Sequence, residues 1–339
     1  MLNIGLIGAG RIGRLHAGHL ARQIKGARLV GVADVVEDAA RQCAAEHDIP
    51  RATTDYRTLL DDPDIQAVVI CAATDTHAGI IEHAAQAGKH VFCEKPIDLT
   101  LARIDAALAA VARAGTKLQV GFNRRFDASY RRVRLAVEHH EIGRPWRLHL
   151  VSRDPSPPPL AYIKASGGLF LDMAIHDFDL ARYLIGGEVD EVFSTASVLV
   201  DEAIRELEDV DTAVTILKFS NGAIGTIDNS RCAVYGYDQR AEILGSGGMI
   251  CTENTFPNSA TVSDGHSVHR ELPLHFFMQR YTESYLAEMT AFVAAVRDDT
   301  PPLVSGNDGR VAVVLGLAAL KSSRENRPVH ITEISPVSA

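Results

Sequence analysis

The sequence predicts a doubly wound α/β domain over residues 1–122 and an α+β domain over residues 123–339. Three observations carry this reading. Short apolar runs alternate with helical patterns through the first part of the chain, a glycine-rich turn joins the first run to the first helix, and beyond residue 122 strands with polar alternation follow one another.

In the first domain the runs "NIGLIG", "ARLVGVAD", "AVVICAA", "HVFCEKP" and "LQVGF" lack polar alternation. Helical patterns near 11–25, 36–47, 77–87 and 100–115 separate them. Strands that are apolar on both faces and separated by helices make a parallel sheet covered on each side. The second domain reads as a helix near 128–139, a strand near 146–153, the loop "DPSPPP", one helix over 167–184, and the alternating strands "DTAVTILKFS" and "GAIGTIDNSR". Strands in succession predict a largely antiparallel open sheet. Helices near 281–297 and 308–325 close the chain, the second placed to pack back on the first domain.

Composition narrows the function classes. With 46% hydrophobic and 23% charged residues over 339 positions, the chain suits a soluble protein with two cores. A net charge of −9 without any basic block gives no bulk attraction to nucleic acid or an anionic membrane. No apolar run approaches the roughly 18 residues that span a bilayer, and the chain starts without a leader pattern, so a cytoplasmic protein is expected. The five cysteines form no C-x-x-C pair, and the histidine pairs His139/His140 and His16/His19 lack further ligands, so no disulfide framework and no metal are expected.

"LIGAGRIG" places Gly8, Gly10 and Gly13 in G-x-G-x-x-G order between a strand and a helix. The motif alone also occurs in tight turns that bind nothing. Its context points to a dinucleotide: the first glycine permits the turn, the second admits a pyrophosphate, and the third lets helix and strand pack closely. Asp34 ends the second strand, where a carboxylate accepts hydrogen bonds from ribose hydroxyls and repels a 2′-phosphate. Val35 and Val36 follow it rather than an arginine, which favours NAD over NADP. Two further strand ends open on the same crevice. Thr74, Asp75 and Thr76 follow the third strand, where helix capping accounts for at least one of them, and Glu94 and Lys95 follow the fourth.

The stretch "GGLFLDMAIHDFDLARYL" gives up apolar positions to Asp172, His176, Asp177 and Asp179. On an α-helix Asp172 and His176, four apart, share a face. Asp179 continues that stripe, and Asp177 is expected to point elsewhere, toward a surface cation. Imidazole titrates near neutrality and suits His176 to the role of base, with Asp172 either orienting the ring or binding substrate.

These segments, with "GLIGAGRIGRLHA", "TDTHAGII", "VFCEKPIDLT", "VGFNRRFD", "SRDPSPPPLAYIKASGG" and "YGYDQRAEILGSGG", resemble the Gfo/Idh/MocA oxidoreductase family and its inositol dehydrogenase branch along nearly the whole chain. The resemblance implies a Rossmann domain followed by an open-sheet domain. It implies Lys95, Asp172 and His176 as catalytic residues, with a cis peptide before Pro96. Gly8, Gly10, Arg11, Ile12, Gly13 and Asp34 would bind NAD, and Ala72, Thr74, Asp75, His77, Glu94 and Lys95 would line its nicotinamide side. Arg124, Arg153, Asp154, Tyr162, Tyr235 and Tyr237, with Lys95, Asp172 and His176, would contact a small neutral polyol. The implied reaction is NAD-dependent oxidation of a myo- or scyllo-inositol ring hydroxyl to an inosose by hydride transfer to nicotinamide C4, Lys95 polarising the reacting oxygen. The alternatives are a hexose 1-dehydrogenase of the same family and a non-catalytic NAD sensor, which would have no need of Lys95, Asp172 and His176 together. A homotetramer is also implied.

Overall fold

Residues 1–335 are described by the structure, a computed structural model. They divide into one unit of residues 1–126 with 283–313 and another of residues 127–282 with 314 onward.

In the first unit six strands, β1 (Leu2–Ile7), β2 (Ala27–Ala33), β3 (Ala52–Thr53), β4 (Ala67–Ile70), β5 (His90–Glu94) and β6 (Leu118–Gly121), pair in parallel in the order β3-β2-β1-β4-β5-β6. The connecting helices are α1 (Arg11–Arg22), α2 (Glu37–Glu46), the short α3 (Arg57–Leu60), α4 (Thr74–Gln86) and α5 (Leu101–Ala114). The order reverses direction at the β1/β4 pair, and ligands of such sheets bind beyond the carboxyl ends of strands at that point.

Packing groups the chain differently from a single cut at residue 122. The 3₁₀ turn Asn123–Phe126, with Arg124, belongs to the first unit, and so does most of α10 (Thr282–Arg297). The reason is burial: Met289, Phe292 and Val293 complete the core formed by Ile4, Leu6, Val32, Val69 and Phe92. Phe292 is 0% exposed, and burying such a side chain contributes about 1.5–3 kcal/mol. The C-terminal helix α11 (Gly306–Glu325) is divided between the units after Val313.

The second unit opens with α6 (Ala128–Glu138), whose N-cap Asp127 accepts hydrogen bonds from the Ser129 and Tyr130 backbone N–H groups. Its sheet contains β7 (Pro145–Arg153), β8 (Val189–Ser197), β9 (Thr212–Phe219), β10 (Ile224–Ser230), β11 (Asp238–Gly245) and β12 (Gly248–Cys251). A separate exposed hairpin, β13 (Thr261–Ser263) and β14 (Val268–Arg270), follows, then the short α9 (Phe277–Arg280) and, after α11, β15 (Val329–His330). The sheet order is β12-β11-β7-β10-β9-β8-β15, antiparallel except for the β7/β10 pair. Strict alternation in β9 buries Ala213, Thr215, Leu217 and Phe219 and turns Val214 and Ile216 outward.

The stretch 167–184 is not one α-helix. After α7 (Leu160–Ser166), Gly167 and Gly168 adopt φ of 90° and 77°, a π-helical turn runs from Leu169 to Met173, and α8 (Ile175–Ile185) begins only then. The Ala174 N–H donates to the Leu169 carbonyl at 2.9 Å, the five-residue step of a π-turn. Asp209 fixes the entry: the Leu169 N–H donates to both its carboxylate oxygens at 3.1 Å, and a Cβ on Gly168 would lie 2.5 Å from one of them. The α-helical four-residue spacing of Asp172 and His176 therefore spans a π-to-α junction.

Candidate active site

The glycine turn separates into protein-imposed and ligand-directed positions. Gly8 has φ +99°, and a Cβ there would stand 2.5 Å from the Cys71 backbone. A Cβ on Gly13 would stand 2.0 Å from the Gly8 carbonyl oxygen. Both glycines are needed to close α1 onto β1 and β4. Gly10 is different: a Cβ there meets nothing within 4 Å, so nothing in the folded chain requires glycine at this position. The N-terminus of α1 has no side-chain cap and no acidic residue in its first turn, leaving backbone N–H groups and the positive end of the helix dipole for an anion. Arg11 begins this helix exposed, with Ile12 half-buried beside it.

Asp34 accepts the Ala9 N–H at 2.7 Å through Oδ2 and the Val36 N–H at 2.9 Å through Oδ1. Its carboxylate thus braces the glycine turn while standing at the β2 end, half-buried. A pyrophosphate fits the open backbone at Gly10 and a ribose diol fits Asp34 with Val35 and Val36 exposed beside it, so these residues suit NAD.

Beyond β4, α4 is capped by Ala73 with no side-chain hydrogen bond, so neither Thr74 nor Asp75 nor Thr76 is the expected cap; the Thr76 hydroxyl instead donates to the Ala73 carbonyl at 2.7 Å. His77 is 2% exposed, with Nδ1 2.8 Å from the Pro96 carbonyl and Nε2 3.0 Å from the Ala72 carbonyl. It ties the β4 loop to the Glu94–Lys95–Pro96 turn. The Lys95–Pro96 peptide is cis, as the resemblance implies.

Sequence reasoning missed what lies beneath Glu94. Its carboxylate is 2.9 Å from His16 Nε2, and Glu288 Oε1 on α10 is 4.0 Å from the same nitrogen. Donor atoms of these three residues lie within 4.8 Å of one another, the one such group of metal-ligating type among the described residues. Neither oxygen of Glu288, which is 0% exposed, has a hydrogen-bond partner among the described residues. Burial, then the Glu94 charge, pushes the Glu288 carboxyl well above its ordinary range. Burial of this kind favours the neutral acid, so in the absence of a cation the cluster reads as a proton-holding contact under the strand end.

In the second unit Asp172 is 8% exposed. The Tyr162 hydroxyl donates to its Oδ1 at 2.9 Å, and Arg231 Nη1 lies 3.6 Å from Oδ2. Burial and the Asp172 charge push the Tyr162 hydroxyl pKa upward, with the Asp154 carboxylate adding a smaller push, so Tyr162 remains a donor across neutral pH. His176 is half-buried at the start of α8. Asp177 does not face solvent: it is 1% exposed and accepts a 2.8 Å hydrogen bond from Asn229 Nδ2. Asp179 is equally buried.

The remaining expected polyol contacts fall into separate groups. Arg153 forms a two-pronged pair with Asp228 and donates to the Tyr235 hydroxyl at 3.0 Å, and Tyr235 donates to Asp238 at 2.7 Å. Although burial alone raises its pKa, hydrogen bonds from Arg240, Tyr235 and Asn254 hold Asp238 at about 2. Tyr235 and Asp238 line a groove of about 510 Å³ whose lining contains none of Asp172, His176 and Tyr162. Tyr237 packs edge-on against Tyr281, ring centroids 6.0 Å apart.

A parallel sheet that switches direction at β1/β4, with an open glycine at the head of α1 and a carboxylate at the β2 end, defines a dinucleotide-binding protein. Residues 2–122 match the family model described as "Oxidoreductase family, NAD-binding Rossmann fold", and residues 130–251 match the "GFO/IDH/MocA C-terminal domain". The chain is 47% identical to a myo-inositol 2-dehydrogenase of Thermotoga maritima over 98% of its own length and 99% of that protein's. The crystal structure of a probable dehydrogenase from Thermotoga maritima superposes with a TM-score of 0.97 at 48% identity, covering 98% of this chain and all of the other. A scyllo-inositol dehydrogenase from Lactobacillus casei, solved with bound NAD(H) and scyllo-inositol, gives a TM-score of 0.92 at 29% identity, covering 98% and 99%. The chain belongs to the Gfo/Idh/MocA family of NAD-dependent oxidoreductases.

Proposed function

We propose that this oxidoreductase uses NAD to oxidise one ring hydroxyl of myo- or scyllo-inositol to the corresponding inosose. The observation that carries the reading is end-to-end similarity at 47% identity to a myo-inositol 2-dehydrogenase, joined to a buried carboxylate, Asp172, contacted by Tyr162 and Arg231.

NAD, when bound, supplies the hydride acceptor at nicotinamide C4. Gly10 and the α1 N-terminus receive its pyrophosphate and Asp34 its adenosine ribose. His176 takes the hydroxyl proton as the carbon–hydrogen bond breaks, a contribution of about 10²–10⁴-fold for a positioned base. Lys95 hydrogen-bonds the reacting oxygen and stabilises its developing charge. Asp172, held at one oxygen by Tyr162, orients the base or a neighbouring substrate hydroxyl. The outward face of the second sheet carries the exposed apolar side chains Val214, Ile216, Ile224, Leu244 and Met249, a face suited to a second copy of the chain in a homotetramer. Size-exclusion chromatography with light scattering checks this.

The test is NADH formation from NAD⁺ with myo-inositol, scyllo-inositol and a set of pyranoses. Inositols should be turned over with higher kcat/KM than any aldose. Aldose oxidation dominating would replace this reading with a hexose 1-dehydrogenase, and no turnover with NAD bound would remove the enzyme reading.

A further inference from the structure

Arg231, one residue past the end of β10, is among the largest fully buried side chains of the protein, at 1% exposure. An arginine is charged at every physiological pH and presents five N–H donors. Here Nε and Nη2 have no hydrogen-bond partner among the described residues, and the one ion pair the guanidinium makes is to Asp172, Nη1 to Oδ2 at 3.6 Å. An uncompensated buried charge costs several kcal/mol, so the burial of this cation depends on the Asp172 carboxylate. The backbone is anchored independently, the Arg231 N–H donating to the Asp211 carbonyl at 2.8 Å.

The two oxygens of Asp172 are thereby divided: Tyr162 donates to Oδ1, and Arg231 stands at Oδ2. Two groups on different elements, α7 and the end of β10, fix a carboxylate carried on the π-turn. We infer that Arg231 is a positioning residue for the oxidation, acting through Asp172 by holding its carboxylate in the orientation that the reaction uses. The inference rests on the proposed role of Asp172 in polyol oxidation. The logic is electrostatic: removing the buried cation that stands 3.6 Å from Oδ2 changes the balance of forces that sets the carboxylate's orientation, and a misplacement of about 1 Å at a reacting centre costs about 10²-fold in rate.

The test is a double-mutant comparison in the full-length protein with NAD⁺ and myo-inositol. Arg231→Met should lower kcat about 10- to 100-fold and leave the KM for NAD⁺ unchanged, and Arg231→Lys should recover part of the loss. In an Asp172→Asn background Arg231→Met should add little further loss, because residues acting as a unit are not additive. A kcat within twofold of wild type for Arg231→Met, or losses that multiply in the double variant, would overturn the inference. Should Arg231→Met not fold, Arg231→Gln and Arg231→Lys decide by the same comparison. Failure of the underlying functional reading is separate: it shows as wild-type protein that binds NAD⁺ and turns over no inositol. The pairing is then read from thermal unfolding, where Asp172→Asn should destabilise the wild type more than the Arg231→Met variant, and equal shifts would refute it.

Discussion

Replacing Glu288 by Gln tests for a buried proton beneath the Glu94–Lys95–Pro96 turn. The carboxyl is 0% exposed and faces His16 from α1, Glu94 from the end of β5 and the Cys71 thiol beyond β4, while its own backbone carbonyl accepts from Gln119 of β6 at 2.9 Å. Burial, then Glu94, raises its folded pKa well above the ordinary glutamate value, whereas the unfolded chain ionises it near 4.5. A group whose folded pKa is raised contributes stability fully present below the unfolded pKa and lost as pH rises toward the folded one. Within that window the loss is about 1.4 kcal/mol per pH unit. Glutamine carries no titrating proton, so the stability of Glu288→Gln relative to wild type should climb with pH at about that slope from pH 5 upward. Urea unfolding of both proteins at several pH values between 5 and 8 reads it directly. Parallel stability profiles, or a glutamine variant that loses ground as pH rises, would refute a protonated Glu288.

Other substitutions probe the cofactor site and the chemistry. Gly10→Ala places its Cβ in open space, so thermal stability should stay within about 1 kcal/mol of wild type while NAD affinity measured by calorimetry falls; Gly13→Ala, with a contact of 2.0 Å to a backbone oxygen, should instead fail to fold normally. Asp34→Ala removes the acceptor of the Ala9 and Val36 N–H groups, and losing hydrogen bonds to a charged group should weaken NAD binding about 10- to 100-fold while narrowing the preference over NADP. Lys95→Ala and His176→Ala should each lower kcat about 10²-fold or more, with NAD still bound, in steady-state NADH assays. Phe292→Ala should cost about 3–5 kcal/mol of stability by hollowing the core that α10 completes.

What the sequence made legible was local. Strand and helix periodicity located β1, β2, β4, β5 and β6 with α1, α2, α4 and α5 because each pattern repeats within a few residues, whereas the two-residue β3 and the four-residue α3 are too short to show a period; the glycine turn with Asp34 was readable because spacing along one strand–helix unit fixes both. Contacts across long separations were not. Glu288 lies 194 positions beyond Glu94, so periodicity around either residue carries no sign of the other. Asp177 looked solvent-directed because its partner, Asn229, comes 52 residues later on β10. Arg231 gave no signal of burial, since a lone arginine after a strand is ordinarily exposed. The π-turn did leave a trace in the paired glycines before Leu169, but the Asp209 carboxylate that demands them lies 40 residues away. The membership of α10 in the first unit likewise depends on where Met289 and Phe292 find apolar neighbours.

Hydride transfer from an inositol ring carbon to NAD is read by following an isotope from substrate to cofactor. Scyllo-inositol or myo-inositol deuterated at its ring carbons is incubated with NAD⁺ and the protein, and the reduced cofactor is examined by NMR. One deuterium should appear at nicotinamide C4 for each inosose formed. Reduced cofactor without deuterium, or no reduced cofactor from either inositol, would contradict it.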